Sequence, residues 1–195
     1  MVHIRVMEEY AEKNNIPIMQ KEGIEFLTNY IKENNVKTIL EIGSAIGYSA
    51  IKMALIDKNI TITTIERDKE RYDLAINNIS NLNLNNQIEI FNEDALIFDT
   101  DKKYDLIFID AAKAQYIKFF EKYKKNLNEN GTIISDNLEF HGLVKNKEQI
   151  KNRNTLQLVK KIEKYVNFLK DNDEFETEFI KLGDGIGISK RKKQI

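Results

Sequence analysis

The stretch ILEIGSAIGYSA, residues 39–50, joins a short apolar run to a turn that two glycines interrupt. Gly43 and Gly47 frame this turn, and glycine both permits positive φ and lets a ligand approach the backbone closely. Ala45 replaces the middle glycine of the dinucleotide motif G-x-G-x-x-G, so a pyrophosphate site is less favoured. The stretch predicts a strand, a turn and a helix, with or without a ligand at the turn.

Apolar runs of strand type recur along the chain and alternate with helix-like stretches. The predicted strands are residues 38–43, 60–66, 87–92, 104–110 and 131–136. The predicted helices between them are residues 46–57, 68–82 and 114–128. Continuous apolar strands that alternate with helices are typical of a parallel sheet that is covered on both faces.

The two ends of the chain extend this pattern. One or two helices are predicted within residues 4–34, with a break at Pro17. Residues 137–154 predict a polar, basic loop, and a helix is expected near residues 155–170. Two extended runs then flank LGDG, residues 182–185, which indicates a terminal hairpin. We therefore predict an α/β fold with a mostly parallel seven-stranded sheet, an antiparallel terminal hairpin strand and helices on both faces.

Length and composition limit the possible functions. A chain of 195 residues fits one domain, with residues 1–34 packed on it as an N-terminal helical segment. The absence of cysteine excludes disulfides, thiolate metal sites and a cysteine nucleophile, and it suits the cytoplasm, where we expect the protein. No apolar run approaches the roughly 20 residues that span a bilayer, so no membrane partner is expected.

The formal net charge of −1 argues against a strongly basic nucleic-acid-binding protein. Basic residues nevertheless cluster in residues 118–125, 145–153 and 160–164 and in KRKK at 190–193. Such clusters are most simply solvated faces, but they also leave room for local patches that bind a polyanion.

Acidic residues follow the second and third predicted strands. Glu66 lies about 20 residues after the glycine turn, where a carboxylate commonly binds ribose hydroxyls. The alternative is that the dipole of the next helix satisfies this acid. Asp94 and Ala95 follow the third strand, where an adenine ring would lie beside the ribose, although an ordinary loop acid is the simpler interpretation of Asp94.

The fourth predicted strand ends at Asp110 and the fifth at Asp136 and Asn137. The carboxyl ends of neighbouring parallel strands meet at one edge, so the fold brings these side chains together. Two carboxylates and an amide oxygen suit Mg²⁺, Mn²⁺ or Ca²⁺, whereas helix capping and turn formation are the structural alternatives. Lys113 could reach a substrate there and act as a base, but a surface lysine is the simpler interpretation.

Taken together, these motifs resemble the class I methyltransferases that use S-adenosylmethionine. More narrowly they resemble the cation-dependent O-methyltransferases, which include the catechol and caffeoyl-CoA O-methyltransferases. The resemblance runs from about residue 22 to residue 190 and is carried by EIGSAIGYSA, IDAAK, ISDN and LGDGIGIS. It implies a Rossmann-like methyltransferase fold, S-adenosylmethionine as the methyl donor and a divalent cation, which we expect to be Mg²⁺.

The resemblance also assigns roles to particular residues. Those implied to bind the methyl donor are Ile18, Met19, Glu41, Gly43, Ser44, Gly47, Tyr48, Ser49, Glu66, Arg67, Asp94, Ala95 and Asp110. Asp110, Asp136 and Asn137 would coordinate the cation. Asp110 and Lys113 would be catalytic, with Lys113 as the base.

Within this family, IPIMQKEGIEFL, AIGYSAI, IDAAKAQY and the GLV that follows SDN resemble the bacterial tRNA 5-hydroxyuridine methyltransferases. This implies methylation of 5-hydroxyuridine at the tRNA wobble position to 5-methoxyuridine, with the anticodon loop as partner and a homodimer as the assembly. A base in a single-stranded loop can be splayed out and stacked on side chains. Tyr116, Phe140 and His141 are the stacking candidates, although a core position is the simpler interpretation for Tyr116 and Phe140.

Three alternatives remain at this stage. A small catechol-like phenol or a caffeoyl-CoA-like acceptor keeps the enzyme class, and the basic residues 145–153 and 190–193 favour RNA over it. A nicotinamide-binding oxidoreductase is disfavoured by the missing middle glycine, the acids at the strand ends and the terminal hairpin. A non-catalytic binding module is disfavoured because every position of the catalytic set is filled.

Overall fold

A computed structural model describes residues 2–139 and 152–193. Phe140, His141, the GLV motif and basic residues 145–151 of the predicted loop lie outside the described residues. The described residues form the strands β1 (Thr38–Ile42), β2 (Thr61–Ile65), β3 (Ile88–Phe91), β4 (Tyr104–Ile109), β5 (Leu127–Ser135), β6 (Phe175–Ile180) and β7 (Ile186–Arg191). Their α-helices are α1 (Val2–Lys13), α2 (Lys21–Glu33), α3 (Tyr48–Ala54), α4 (Lys69–Asn81), α5 (Tyr116–Tyr123) and α6 (Arg153–Lys170).

All seven strands belong to one sheet with the order β3-β2-β1-β4-β5-β7-β6. The strands from β3 to β5 pair in parallel, whereas β7 runs antiparallel to both of its neighbours. The predicted sheet with an antiparallel strand in its terminal hairpin is therefore confirmed. The chain leaves β1 and β4, which are neighbours, toward opposite sides of the sheet, and ligands of such folds bind at this point.

The apolar strands are buried on both faces, as the continuous runs predicted. Successive residues of β1 and of β4 alternate between two cores, with Ile39 and Phe108 in one and Leu40 and Ile109 in the other. Helices α1 to α4 cover the first core, and α5 and α6 cover the second. The predicted break at Pro17 lies between α1 and α2. Among the residues that the structure describes, no helix combines the length and the apolar composition needed to cross a membrane.

Helix α5 is shorter than the sequence pattern indicates. The pattern predicts a helix over residues 114–128 and a strand over 131–136, but α5 ends at Tyr123 and β5 begins at Leu127. Leu127 pairs with Tyr104, and the register of β4 and β5 shifts before regular pairing resumes. Pairing with β4 therefore extends β5 over residues that helical periodicity assigns to α5.

Backbone hydrogen bonds continue beyond the carboxyl ends of the parallel strands and hold the outgoing segments together. The N–H groups of Gly43, Glu66, Asp110 and Asp136 donate to the carbonyls of Ile65, Phe91, Ile42 and Ile109, with N–O distances of 3.0, 3.0, 3.0 and 3.1 Å. Each donor is a predicted site residue, so the sheet itself places these residues along one edge.

The basic C-terminal segment lies near the amino ends of the parallel strands, opposite the predicted site residues. Because β7 is antiparallel to β5, Gly187 pairs with Ser135 at the carboxyl end of β5, and Lys190 pairs farther back with Thr132. Residues 190–193 therefore lead toward the amino ends of the parallel strands. KRKK therefore lies away from the carboxyl ends of the parallel strands and gives no support to an RNA substrate there.

Candidate active site

A cavity of about 620 Å³ opens at the carboxyl ends of the parallel strands. The predicted site residues that line it are Ile18, Met19, Gly43, Ser44, Tyr48, Ser49, Glu66, Arg67, Asp94, Ala95, Asp110, Lys113, Asp136 and Asn137. The structure thus brings together residues that follow five different strands, β1 to β5. Glu41 and Gly47 are the two predicted residues that do not line the cavity.

The glycine turn is shaped by close contact between the exits of β1 and β4. Gly43 has φ +95°, and a Cβ atom there would lie 2.2 Å from the backbone oxygen of Asp110. Gly47 has φ +82° and immediately precedes α3, and a Cβ atom there would lie 3.3 Å from the Cβ atom of Ala75. Ala45, in the position of the missing middle glycine, also adopts a positive φ of 47°. The turn therefore keeps a left-handed residue at that position although glycine is absent.

Glu66 is held by backbone amides and faces the cavity. Its carboxylate accepts hydrogen bonds from the N–H of Ala45 at 2.8 Å and the N–H of Asp68 at 2.9 Å. Asp68, not Glu66, is the residue that caps α4, since its side chain accepts from Arg71 N–H at 3.0 Å. Each oxygen of Glu66 has taken one amide and retains acceptor capacity for the hydroxyls of a ligand.

Glu41 lies behind the cavity wall rather than in it. The side chain is fully buried and accepts hydrogen bonds from the hydroxyls of Ser49 and Thr64. Burial raises the pKa of Glu41 to about 7, against the hydrogen bonds from both hydroxyls, and the charges of Asp110 and Glu66 add to the rise. In this structure the Glu41 carboxylate is bound by Ser49 and Thr64, and its predicted contact with a cofactor stays a prediction.

The acids that end β4 and β5 lie together, as predicted. The side-chain nitrogen of Asn137 donates to Asp110 Oδ1 and to Asp136 Oδ2, each at 3.0 Å. Asn137 has φ +65°, a conformation that asparagine tolerates better than most residues. The bridging contact shows that one side chain spans the space between two carboxylates.

The protein environment makes the two carboxylates costly to ionise. Burial raises the pKa of Asp110, and burial together with the charge of Asp110 raises the pKa of Asp136 to about 7. The ammonium group of Lys113 opposes both shifts, and Asp184 increases them. Such a group of acids with raised pKa values in a cavity is typical of a functional site.

The donor set fits a hard divalent cation. Asp110, Asp136 and Asn137 offer carboxylate and amide oxygens, which are the ligands that Mg²⁺ and Mn²⁺ prefer. The nitrogen and oxygen of an amide are distinguished by their hydrogen bonds, and a half-turn of the Asn137 amide would present its oxygen to the space between the acids. Within residues 2–139 and 152–193, no group of three or more histidine, cysteine or acidic side chains could hold a metal ion.

Sequence reasoning missed several residues of the cavity wall. Asp184 reaches it from the LGDG turn, which packs against the segment after β5 through hydrogen bonds from Leu138 N–H and Glu139 N–H to the carbonyls of Gly185 and Asp184. LGDG was the available signal, but it indicated only a hairpin. The other missed lining residues include Gln20, Arg71, Leu96, Gln115 and Phe119.

Tyr116 occupies the core and is not a stacking platform. Its ring is buried and packs edge-on against Tyr165, with the ring centres 5.2 Å apart. Its hydroxyl donates to the backbone oxygen of Asp136 at 3.3 Å. Tyr116 therefore supports the acid-bearing segment from behind, as the simpler interpretation of the sequence held.

Two residues that line the cavity each have a buried polar atom without a hydrogen-bond partner in the described part of the chain. Ser44 Oγ and Gln115 Oε1 have no hydrogen-bond partner among the residues that the structure describes. Buried polar atoms in native proteins are nearly always paired, so each exception calls for an explanation. Both residues line the cavity, but the two atoms themselves are enclosed by protein.

The raised pKa of Glu41 gives a prediction for stability. A carboxyl with a usual value of 4.5 and a folded-state value of about 7 stabilises the fold below pH 4.5, and this contribution is lost as pH rises to 7. The variant Glu41→Gln has no carboxyl to ionise at this position, so it does not lose this stability as pH rises. Its free energy of unfolding relative to wild type should rise by up to roughly 3 kcal/mol between pH 4.5 and 7.5. Urea denaturation in metal-free buffer measures it.

Asp105→Asn supplies the matched control. Partial burial of Asp105 is outweighed by hydrogen bonds from Lys37 N–H, Thr38 N–H and Asn128, which lower its pKa. Stability from this carboxylate is fully present above its usual pKa, so the loss in Asp105→Asn should be constant from pH 4.5 to 7.5. A flat difference between Glu41→Gln and wild type would contradict the account.

Comparison with known proteins identifies the family. The model of a family described as O-methyltransferase matches residues 3–192. The structure of a candidate caffeoyl-CoA O-methyltransferase from Staphylococcus aureus is 41% identical, with 97% of this chain and 92% of that chain covered and a TM-score of 0.93. The caffeoyl-CoA O-methyltransferase of Populus kitakamiensis is 26% identical over 193 residues, covering 94% of this chain and 82% of that relative.

More distant structures share the fold. An O-methyltransferase from Bacillus cereus, solved in complex with S-adenosylhomocysteine (SAH), is 23% identical and has a TM-score of 0.84, with 98% of this chain and 91% of that chain covered. The family match spans nearly the whole chain, and a solved relative at 41% identity has the same fold. The chain therefore belongs to the O-methyltransferase family.

Proposed function

We propose that this protein transfers a methyl group from S-adenosylmethionine to a hydroxyl oxygen, with a divalent cation at the acids that follow β4 and β5. The observation that carries the proposal is the Asn137 side chain, which spans Asp110 and Asp136 at 3.0 Å from each, beside the glycine turn. Residues proposed for the methyl donor and residues proposed for the cation line the same cavity.

Several features support S-adenosylmethionine as the methyl donor. Glu66 offers oxygens for ribose hydroxyls, and the Gly43 turn admits a ligand close to the backbone. Ser49, whose hydroxyl is oriented by Glu41, lines the cavity and offers a polar contact for an amino-acid group. Two proteins of similar fold were solved with such a ligand: the Bacillus cereus O-methyltransferase with SAH, and a Streptomyces achromogenes O-methyltransferase with S-adenosylmethionine (SAM).

The acids and Asn137 would hold the cation, most simply Mg²⁺. When bound, a divalent cation supplies positive charge that favours the deprotonated form of an acceptor hydroxyl. It would also relieve the mutual repulsion that raises the pKa of Asp136. Asp110 is proposed both to contact the methyl donor and to hold the cation, so it would fix the distance between methyl donor and acceptor.

Lys113 would receive the acceptor's proton, a step that needs its neutral amine form. It lies on the segment that follows β4 and lines the cavity together with Asp110 and Asp136, and in its protonated form it lowers the pKa values of both. The acceptor oxygen would then take the methyl group from the sulfonium, while the rigid strand ends hold the reactants in line. Alignment of this kind can contribute about 7–11 kcal/mol to lowering a barrier.

For the acceptor we propose 5-hydroxyuridine at the wobble position of tRNA. Its 5-hydroxyl and its neighbouring 4-carbonyl oxygen form an adjacent pair that can chelate a cation, as the two hydroxyls of a catechol do. A base in a single-stranded loop can enter a cavity without disrupting a duplex. The support is the resemblance in IPIMQKEGIEFL and IDAAKAQY, and the exposed cations Arg153 and Lys181 lie at the cavity edge of the sheet.

A small phenol is the second candidate acceptor. Relatives at 26–27% identity carry the names of caffeoyl-CoA and flavonoid O-methyltransferases. The position of residues 190–193 at the far edge of the sheet also withdraws one argument for RNA. The family match gives no support to the nicotinamide-binding alternative.

Replacing one acid tests the cation site. Asp136→Asn keeps the shape and removes the charge, so turnover should fall about 100-fold or more while SAH affinity stays within about 3-fold of wild type. Raising the Mg²⁺ concentration should restore part of the lost turnover. Labelled methyl transfer and calorimetry measure the two quantities. Full activity in Asp136→Asn, or in wild type after exhaustive chelation, would contradict the cation role.

Nucleoside mass spectrometry tests the acceptor. In an organism that carries this gene, deletion should replace 5-methoxyuridine in tRNA with 5-hydroxyuridine. Wild-type protein supplied in trans should restore 5-methoxyuridine, and the matched Asp136→Asn variant should not. Unchanged 5-methoxyuridine in the deletion strain, together with catechol methylation by the purified protein, would overturn the tRNA proposal in favour of the phenol.

A further inference from the structure

Tyr48 joins the wall of the cavity to the N-terminal helix. It is the first residue of α3, directly after the glycine turn, and it is buried and lines the cavity. Its hydroxyl donates a hydrogen bond to Glu8 Oε1 of α1 at 2.7 Å. Burial and this hydrogen bond raise the pKa of Tyr48, so the phenol stays protonated and remains a donor. A hydrogen bond that a carboxylate accepts is stronger than one between neutral groups.

Helix α1 has few other attachments to the rest of the fold. Within the described part of the chain, no other side-chain hydrogen bond joins α1 to another helix or strand. Met7 and Ala11 of α1 are buried, but a cavity of about 130 Å³ lies between α1 and α4. An element with few buried contacts separates from a fold at a low cost in free energy. The hydrogen bond between Glu8 and Tyr48 therefore contributes a large share of what holds α1 in place.

The end of α1 is tied to the segment that covers part of the cavity. Ile16 N–H donates to Ala11 O at 2.9 Å, so the chain that leaves α1 keeps a fixed position relative to the helix. Ile18 and Met19 follow on this segment and line the cavity. A displacement of α1 would therefore move these two side chains as well.

We infer that Glu8 is a positioning residue for the methyl-donor side of the cavity and acts through its hydrogen bond to Tyr48. This inference rests on the proposed use of S-adenosylmethionine. The bond fixes Tyr48 beside Ser49 in the first turn of α3, and it keeps α1, with Ile18 and Met19, against the cavity. Glu8 does not line the cavity, so its effect on a ligand is indirect. A ligand that prefers this arrangement binds less tightly when the arrangement is populated less.

A double-mutant cycle in SAH binding tests this role. Glu8→Met removes the acceptor and Tyr48→Phe removes the donor, so calorimetry should show SAH bound about 5- to 10-fold more weakly by each variant. The double variant should be at most about 2-fold weaker than either single variant, because both changes remove the same hydrogen bond. Glu8→Gln keeps an acceptor and should bind SAH within about 3-fold of wild type.

Glu12→Met makes the same chemical change one helical turn further along α1, at an exposed position, and should bind SAH as wild type does. Urea unfolding of the SAH-free variants separates positioning from a purely structural role. Wild-type SAH affinity in Glu8→Met, with or without a loss of stability, would overturn the inference while leaving the methyl donor in place. Failure of wild type to bind SAH at all would overturn the proposed function and this inference together.

Discussion

The close approach of Gly43 to Asp110 is the constraint on which the site depends. A side chain at position 43 would collide with the backbone of Asp110, so only glycine lets the exits of β1 and β4 meet. Their contact places the turn that would receive the methyl donor against the acid that would face the acceptor. The same turn directs Ala45 N–H to Glu66, so the position of the ribose-type acid follows from the same glycine.

A purely structural role does not account for the acids behind and within the cavity. Glu41, Asp110 and Asp136 are all buried enough to have raised pKa values, and their charges repel one another. Such an arrangement costs stability in the absence of a ligand, because buried charge is favourable only when it is compensated. A cation at Asp110 and Asp136 would supply that compensation, which is why this geometry favours a metal-dependent reaction.

The sequence patterns predicted the fold well, because buried parallel strands are continuous apolar runs and glycine marks the first turn. They also predicted that Asp110, Asp136 and Asn137 would meet, since parallel strands end at one edge. The burial of Glu41 behind the cavity wall was not predicted, because a position at a strand end does not reveal whether the side chain faces a cavity or the core. Gln115 gave no signal, since a glutamine before a helix is ordinary.

The antiparallel direction of β7 was predicted, yet its consequence for residues 190–193 was apparent only from the pairing of Lys190 with Thr132. A cluster of charged residues can be related to the site only when it is known at which end of the strands the cluster lies.

Crystallography of the protein with SAH and Mn²⁺ tests the central claim most directly. The account predicts ribose hydroxyls on Glu66 and an anomalous Mn²⁺ peak bounded by Asp110, Asp136 and the Asn137 side-chain oxygen. Mn²⁺ bound elsewhere, with the Asn137 nitrogen still between the two acids, would contradict it.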